Sequence, residues 1–176
     1  MKPIVIIQPI SFQLTEDLAS LLEQHIPKEF DALVKIGPLN DTLPLNLFNK
    51  RRRQWKSGDI LQWLLNRTKP DIGNKLLAIC DFDAYSNGLN FVFGQAEIEG
   101  RITAIYLPRL RQEFYGLKPD ESLFHQRIIK EAVNELGRAF GLKHCNNQMC
   151  VMHFSNSLSD TDKKQNSFCD ICSTKI

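Results

Sequence analysis

A chain of 176 residues can hold one domain with a substantial hydrophobic core, or one domain plus a small appended module. Its net charge of +2 comes from interspersed acidic and basic residues, and its basic cluster, Lys50-Arg51-Arg52-Arg53, reads as a solvated loop, so nucleic acid is not an expected partner. No apolar run reaches the roughly 18 residues of a membrane span, and Ile4 to Ile7 is too short for a signal h-region, so a cytoplasmic protein with no membrane partner is expected.

Ile4 to Ile7, bracketed by Pro3 and Pro9, reads as a buried strand. Leu14, Leu18, Leu21 and Leu22 then recur at helical spacing, with Thr15 as cap and Glu16-Asp17 in the first turn. Ala32 to Ile36 is the next strand, ended by Gly37-Pro38, and an irregular excursion runs on through Asn49. Ser57 is placed as the cap of a second helix with Ile60, Leu61, Leu64 and Leu65 as its buried stripe, and Lys75 to Cys80 returns as a strand with Cys80 in the core. This βαβαβ order predicts a largely parallel sheet with helices packed against it.

Asp81 to Gly88 is turn-rich. Its two carboxylates lack the later bidentate Glu of a calcium loop, so it reads as a plain turn. Asn90 to Phe93 and Ile102 to Leu107 read as two further strands pairing at an edge, which makes the sheet mixed. Asp120 or Ser122 opens a long helix whose Phe124, Ile128, Ile129, Ala132, Val133, Leu136 and Phe140 share one half of the wheel. Glu131, Asn134, Glu135 and Arg138 lie away from that half, and periodicity alone reads them as a solvated polar face.

That helix leads into the most informative stretch, which ends at Cys172 and holds four of the five cysteines. Cys145 and Cys150 are separated by four intervening residues and Cys169 and Cys172 by two, and each spacing lets two thiolates reach one tetrahedral zinc at about 2.3 Å. In a reducing compartment such clustering points to metal rather than to disulfides. The intervening Ser155 to Ser167 is polar, with too few apolar residues for a core of its own. One structural zinc is therefore expected, with no position left open for catalysis.

Just upstream, Asn134-Glu135-x-x-Arg138-x-x-Gly141-x-x-His144-Cys145 has the frame of a zinc-peptidase helix, with Asn and Arg where the first two His of that frame belong. Hydrolysis by zinc needs an open coordination position, an acidified water and a Glu to take its proton. Asn134 offers only a neutral amide oxygen, and Arg138 brings a permanent positive charge.

On these residues the chain resembles the archaemetzincins, a metzincin-type family of zinc metallopeptidases. The resemblance is carried by Gly141-x-x-His144-Cys145, Cys150-Val151-Met152 and Cys169-x-x-Cys172, and extends to Arg53-Gln54-Trp55-x-Ser57, Phe91 to Ala96, Arg109 to Gly116 and Val151 to Ser157. It implies a single α/β metzincin-like domain with a mixed, largely parallel twisted sheet and an active-site helix, divided as an α/β part over 1–144 and a four-cysteine zinc segment over 145–176. By the same resemblance Glu135 is the general base, His144 a remnant ligand of the catalytic zinc, and Met152 the turn residue beneath that metal. The departures at Asn134 and Arg138 leave no complete ligand set for this second ion, and neither His125 nor His153 obviously replaces a lost ligand.

The leading reading is a homologue that keeps the fold and the structural zinc, lacks the catalytic zinc, and retains its cleft for a peptide or protein ligand. The alternatives are a working metallopeptidase with a rebuilt site, or a zinc-ribbon-like interaction module using Lys50 to Arg53 and Lys163-Lys164. Arg138, three residues beyond Glu135 on one helix, is expected either to pair with Glu135 or to point into solvent.

Overall fold

The computed structural model describes residues 2–40 and 42–176; Met1 lies outside these, as does Asp41 of the expected irregular excursion. The main sheet has five strands, β1 (Ile4–Ile10), β2 (Leu33–Ile36), β5 (Lys75–Cys80), β7 (Gly94–Ala96) and β8 (Ile102–Tyr106), in the order β2-β1-β5-β8-β7. Neighbours are parallel except β7, which runs antiparallel to β8 at the edge. A small second sheet joins β3 (Phe48–Asn49), β4 (Gln54–Lys56) and β6 (Ala84–Tyr85). The α/β class and the mixed, largely parallel sheet are as expected.

Alternation along β5 divides the core in two. Leu77 and Ile79 face α1 (Glu16–Phe30) and α3 (Glu121–Ala139), with Val5, Ile7 and Ile105 beside them. Leu76, Ala78 and Cys80 face the other way, toward Ile60, Leu61 and Leu64 of α2 (Ser57–Thr68). All six residues of β5 are buried, as a parallel strand covered on both faces requires. Thr15 caps α1 by accepting from the Leu18 N–H at 3.3 Å, and Asp120 caps α3 by accepting from Leu123 at 2.9 Å.

Three expectations need correction. β1 runs on through Pro9 to Ile10: the backbone edge of Pro9 faces the side where β2 has already ended opposite Ile7, so its missing N–H removes no rung. Ser57 is the first helical residue rather than the cap, because its hydroxyl is drawn into the core by the buried Tyr106 phenol, 2.5 Å away. Asn90 to Phe93 is no strand. It crosses between the sheets, with Val92 donating to Ala84 and Phe93 accepting from Tyr106, and β7 begins only at Gly94.

Gly94 starts the edge strand because α3 presses against it there. A Cβ on Gly94 would lie 2.6 Å from Glu135 Cγ and 3.0 Å from the Ala104 carbonyl oxygen. Gly94→Ala is therefore expected to cost about 1 to 3 kcal/mol in chemical denaturation. A variant as stable as the parent would mean that helix and strand separate freely.

Candidate functional site

The polar side of α3 is not solvated. Glu131, Asn134 and Glu135 are buried at 3, 4 and 6% exposure, and Arg138 is partly buried. The covering comes from the chain beyond the helix. Gly141, at φ +104°, reverses the backbone where a side chain would be strained, and the turn is closed by Leu142 donating to the Gly137 carbonyl at 2.8 Å. The returning segment lays Val151, Met152 and His153 beside the helix, and α4 (Leu158–Lys163) follows under a capping box formed by Ser157 and Asp160. Met152 is fully buried against Gly137, where a Cβ would meet its sulfur at 2.5 Å.

Asn134 ties the helix to this turn. Its Nδ2 donates to the carbonyls of Val151 at 2.7 Å and His153 at 3.3 Å. Arg138 neither pairs with Glu135 nor points freely into solvent: its Nη1 donates to His144 Nε2 at 2.6 Å. Partial burial, and then the Arg138 charge, push the His144 pKa down to about 4, so the ring is neutral and accepts that hydrogen bond. Glu135 has one carboxylate oxygen, Oε2, buried with no hydrogen-bond partner among the described residues. Burial, reinforced by nearby Glu131, raises its pKa to about 8.

Sequence reasoning missed the polar network beneath the site. Lys164, 1% exposed, pairs with Glu131 at 3.0 Å, and Glu131 also accepts from the Thr161 hydroxyl at 3.1 Å. Arg127 holds Asp162 through two bonds of 2.7 Å, and Lys130 donates to the Thr161 and Asp162 carbonyls. The segment from Ser155 to Ser167 is thus anchored by buried ion pairs rather than by apolar packing, and Lys164 is withdrawn from any basic surface. One signal was present: Arg127, Glu131, Asn134, Glu135 and Arg138 recur three or four apart on a single helix face.

The four cysteine sulfurs converge. Cys145, Cys150, Cys169 and Cys172 place their Sγ atoms within 4.8 Å of one another, and this is the one such group of three or more potential metal ligands among the described residues. Backbone N–H groups of Met152 and Cys169 donate to Cys150 Sγ at 3.4 Å each, which orients that sulfur from outside. Hydrogen bonding, led by the Cys172 backbone, draws the Cys169 thiol down to about 7, whereas burial pushes Cys150 and Cys172 up. Four thiols so arranged fit a zinc ion, whose charge would let all four ionise.

A catalytic zinc does not fit in the same way. His144 Nε2 is capped by a guanidinium, the Asn134 Nδ2 is held by backbone carbonyls and leaves only a neutral amide oxygen, His125 Nε2 lies 3.8 Å from Glu121, and His153 Nδ1 bonds the Cys145 carbonyl at 2.9 Å. Glu135 and Asn134 nonetheless line a cleft of about 250 Å³ together with Phe91, Phe93, Gly94 and Phe154. Its far wall is buttressed by the Asp81 to Gly88 loop, whose carboxylates are bound by arginines: Asp83 by Arg109 at 2.7 and 2.8 Å, and Asp81 by Arg111 at 2.6 and 3.1 Å. Arg109 also stacks over Phe91, 4.5 Å from the ring centre. Arg52, within the exposed basic cluster, bonds the Asn90 carbonyl and stacks on Tyr85, so it braces the same wall.

The family model described as Peptidase family M54 matches residues 61–176. The archaemetzincin of Methanocaldococcus jannaschii is 37% identical over 172 residues, spanning 98% of this chain and 92% of that protein. Among solved structures, archaemetzincin from Methanopyrus kandleri superposes with a TM-score of 0.84 at 31% identity, covering 98% of this chain and 92% of that one. Archaemetzincin from Archaeoglobus fulgidus, crystallised with malonate, gives 0.80 at 39% identity, covering 98% and 99%. The fold, the convergent thiols and these near-full-length relatives agree that the chain belongs to peptidase family M54, the archaemetzincins.

Proposed function

We propose that this chain is an archaemetzincin that holds one structural zinc at Cys145, Cys150, Cys169 and Cys172, has lost peptide hydrolysis, and uses its cleft to bind a peptide or protein ligand in the cytoplasm. The reading is carried by one contact, Arg138 Nη1 on His144 Nε2 at 2.6 Å. That bond occupies the lone pair through which the remaining histidine would hold a metal, and sets a permanent positive charge beside it. Glu135, the base position, lies in a pocket that keeps it protonated at neutral pH, so no carboxylate is ready to take a proton from water. The cleft itself survives, and its mixture of aromatic rings and amides suits a peptide.

The unmodified chain is expected to show no peptide hydrolysis even in excess zinc. Replacing Asn134 or Arg138 alone by His still leaves the other at the metal, so a second bound zinc is expected only in the double variant Asn134→His/Arg138→His. Chelator-sensitive hydrolysis by the unmodified chain, abolished by Glu135→Gln, would overturn this reading.

A further inference from the structure

Three sheltered arginines each grip a carboxylate: Arg109 holds Asp83, Arg111 holds Asp81 and Arg127 holds Asp162, all through two nitrogens. Arg138, also partly buried, does not. Among the described residues no carboxylate oxygen lies within ion-pairing distance of it. Its Nε is buried with no hydrogen-bond partner among the described residues, and its Nη1 is bonded there only to an imidazole nitrogen, which carries no negative charge. Three residues earlier on the helix, Glu135 lines the cleft at 6% exposure with Oε2 also lacking a partner. On the other side, the His144 ring lies 5.0 Å from that of Phe154, which lines the same cleft. One unmet polar group, Glu135, therefore lines an aromatic cavity, and the other, Arg138, stands behind its edge, joined to it through His144 and Phe154.

We propose that Arg138 is a recognition residue for a carboxylate, and that the cleft takes a peptide by its free C-terminal carboxylate with an apolar terminal side chain among Phe91, Phe93 and Phe154. The planar guanidinium offers a fork of N–H donors that matches a carboxylate and has no such partner among the described residues. A single negative charge is called for, because the neighbouring cation, Lys164, is already neutralised by Glu131. The orphaned Glu135 oxygen then finds its partner on the peptide. This assignment rests on the reading that the cleft holds no catalytic metal, since a metal on His144 would displace Arg138 from it.

The test compares N-acetylphenylalanine with its amide by titration calorimetry or NMR. The free acid is expected to bind roughly 10- to 100-fold more tightly, the range for a hydrogen bond to a charged group. Arg138→Gln is expected to remove that preference without weakening the amide, and Arg138→Lys to restore only part of it. N-acetylaspartic acid amide, whose carboxylate is on the side chain, is expected to bind no better than the phenylalanine amide. Equal binding of acid and amide, no binding of either, or a preference that survives Arg138→Gln overturns the proposal; the acid–amide comparison decides on the parent protein alone if a variant does not fold. Zinc counted on the same sample separates the two readings. A second zinc overturns the metal-free cleft, whereas one zinc with no acid preference overturns only the carboxylate assignment.

Discussion

Cys169→Ser is expected to release the bound zinc and to lower the melting temperature by roughly 10 to 20 °C, the shift that a loss of about 5 kcal/mol produces in a chain of this size. Structural zinc in small peptides is worth about 10 to 16 kcal/mol in apparent terms, so losing one of four ligands accounts for such a loss. The damage should not stay local. Cys169 follows Phe168, whose ring meets Phe30 edge-on at 5.4 Å, and the same segment supplies Lys164 to buried Glu131. Once the segment loosens, Glu131 also loses Lys164 and Thr161, the partners that cover it. Limited proteolysis of the variant should cut after His144 while the sheet persists. A variant that keeps one zinc, or that melts with the parent, would contradict the four-thiol assignment.

Glu135→Gln is expected to stabilise the protein at neutral and alkaline pH. The folded chain holds the Glu135 proton up to about pH 8, whereas its ordinary pKa is 4.5. Between those values the folded state binds more protons than the unfolded, so stability falls as pH rises through the window and the loss is complete above about pH 8. At about 1.4 kcal/mol per unit the loss is on the order of 3 kcal/mol at pH 7 and 5 kcal/mol above the folded pKa. Gln keeps the shape without the charge. The variant should therefore unfold at higher denaturant than the parent at pH 8, with the gap closing toward pH 5. A gap independent of pH, or a variant weaker at pH 8, would mean that Glu135 is already ionised beside a compensating cation.

Where local pattern and tertiary demand coincide, the sequence was a sufficient guide. The continuous apolar run of β5 is bounded as expected, and the helix of Asp120 begins at its cap because both signals are local. The four thiols converge as their spacing implied. The polar face of α3 was misread because periodicity assigns charged residues outward; the recurrence of polar residues on one face was visible, but not that Thr161 of α4 and Lys164 just beyond it would cover that face. Phe91 to Phe93 imitates a strand by composition, but its backbone is divided between two sheets. Gly94 carries no such pattern, and the edge strand meets Glu135 there, where a Cβ would lie 2.6 Å from its Cγ. Arg138 was expected either on Glu135, by helical proximity, or in solvent, whereas its partner is His144, six residues further along the chain and delivered by the reversal at Gly141.

These corrections bear on chemistry as much as on packing. A solvated Glu135 beside Arg138 would have been an ordinary surface pair; a buried Glu135 with Oε2 unpartnered among the described residues, and a guanidinium resting on His144, are the observations on which the proposed loss of the catalytic metal rests. The measurement that tests this most directly is zinc per chain, counted by elemental analysis on protein purified without added metal and again after equilibration with excess zinc and removal of the unbound ion. One zinc in both samples is the predicted result, and a second zinc that is lost on His144→Ala would contradict it.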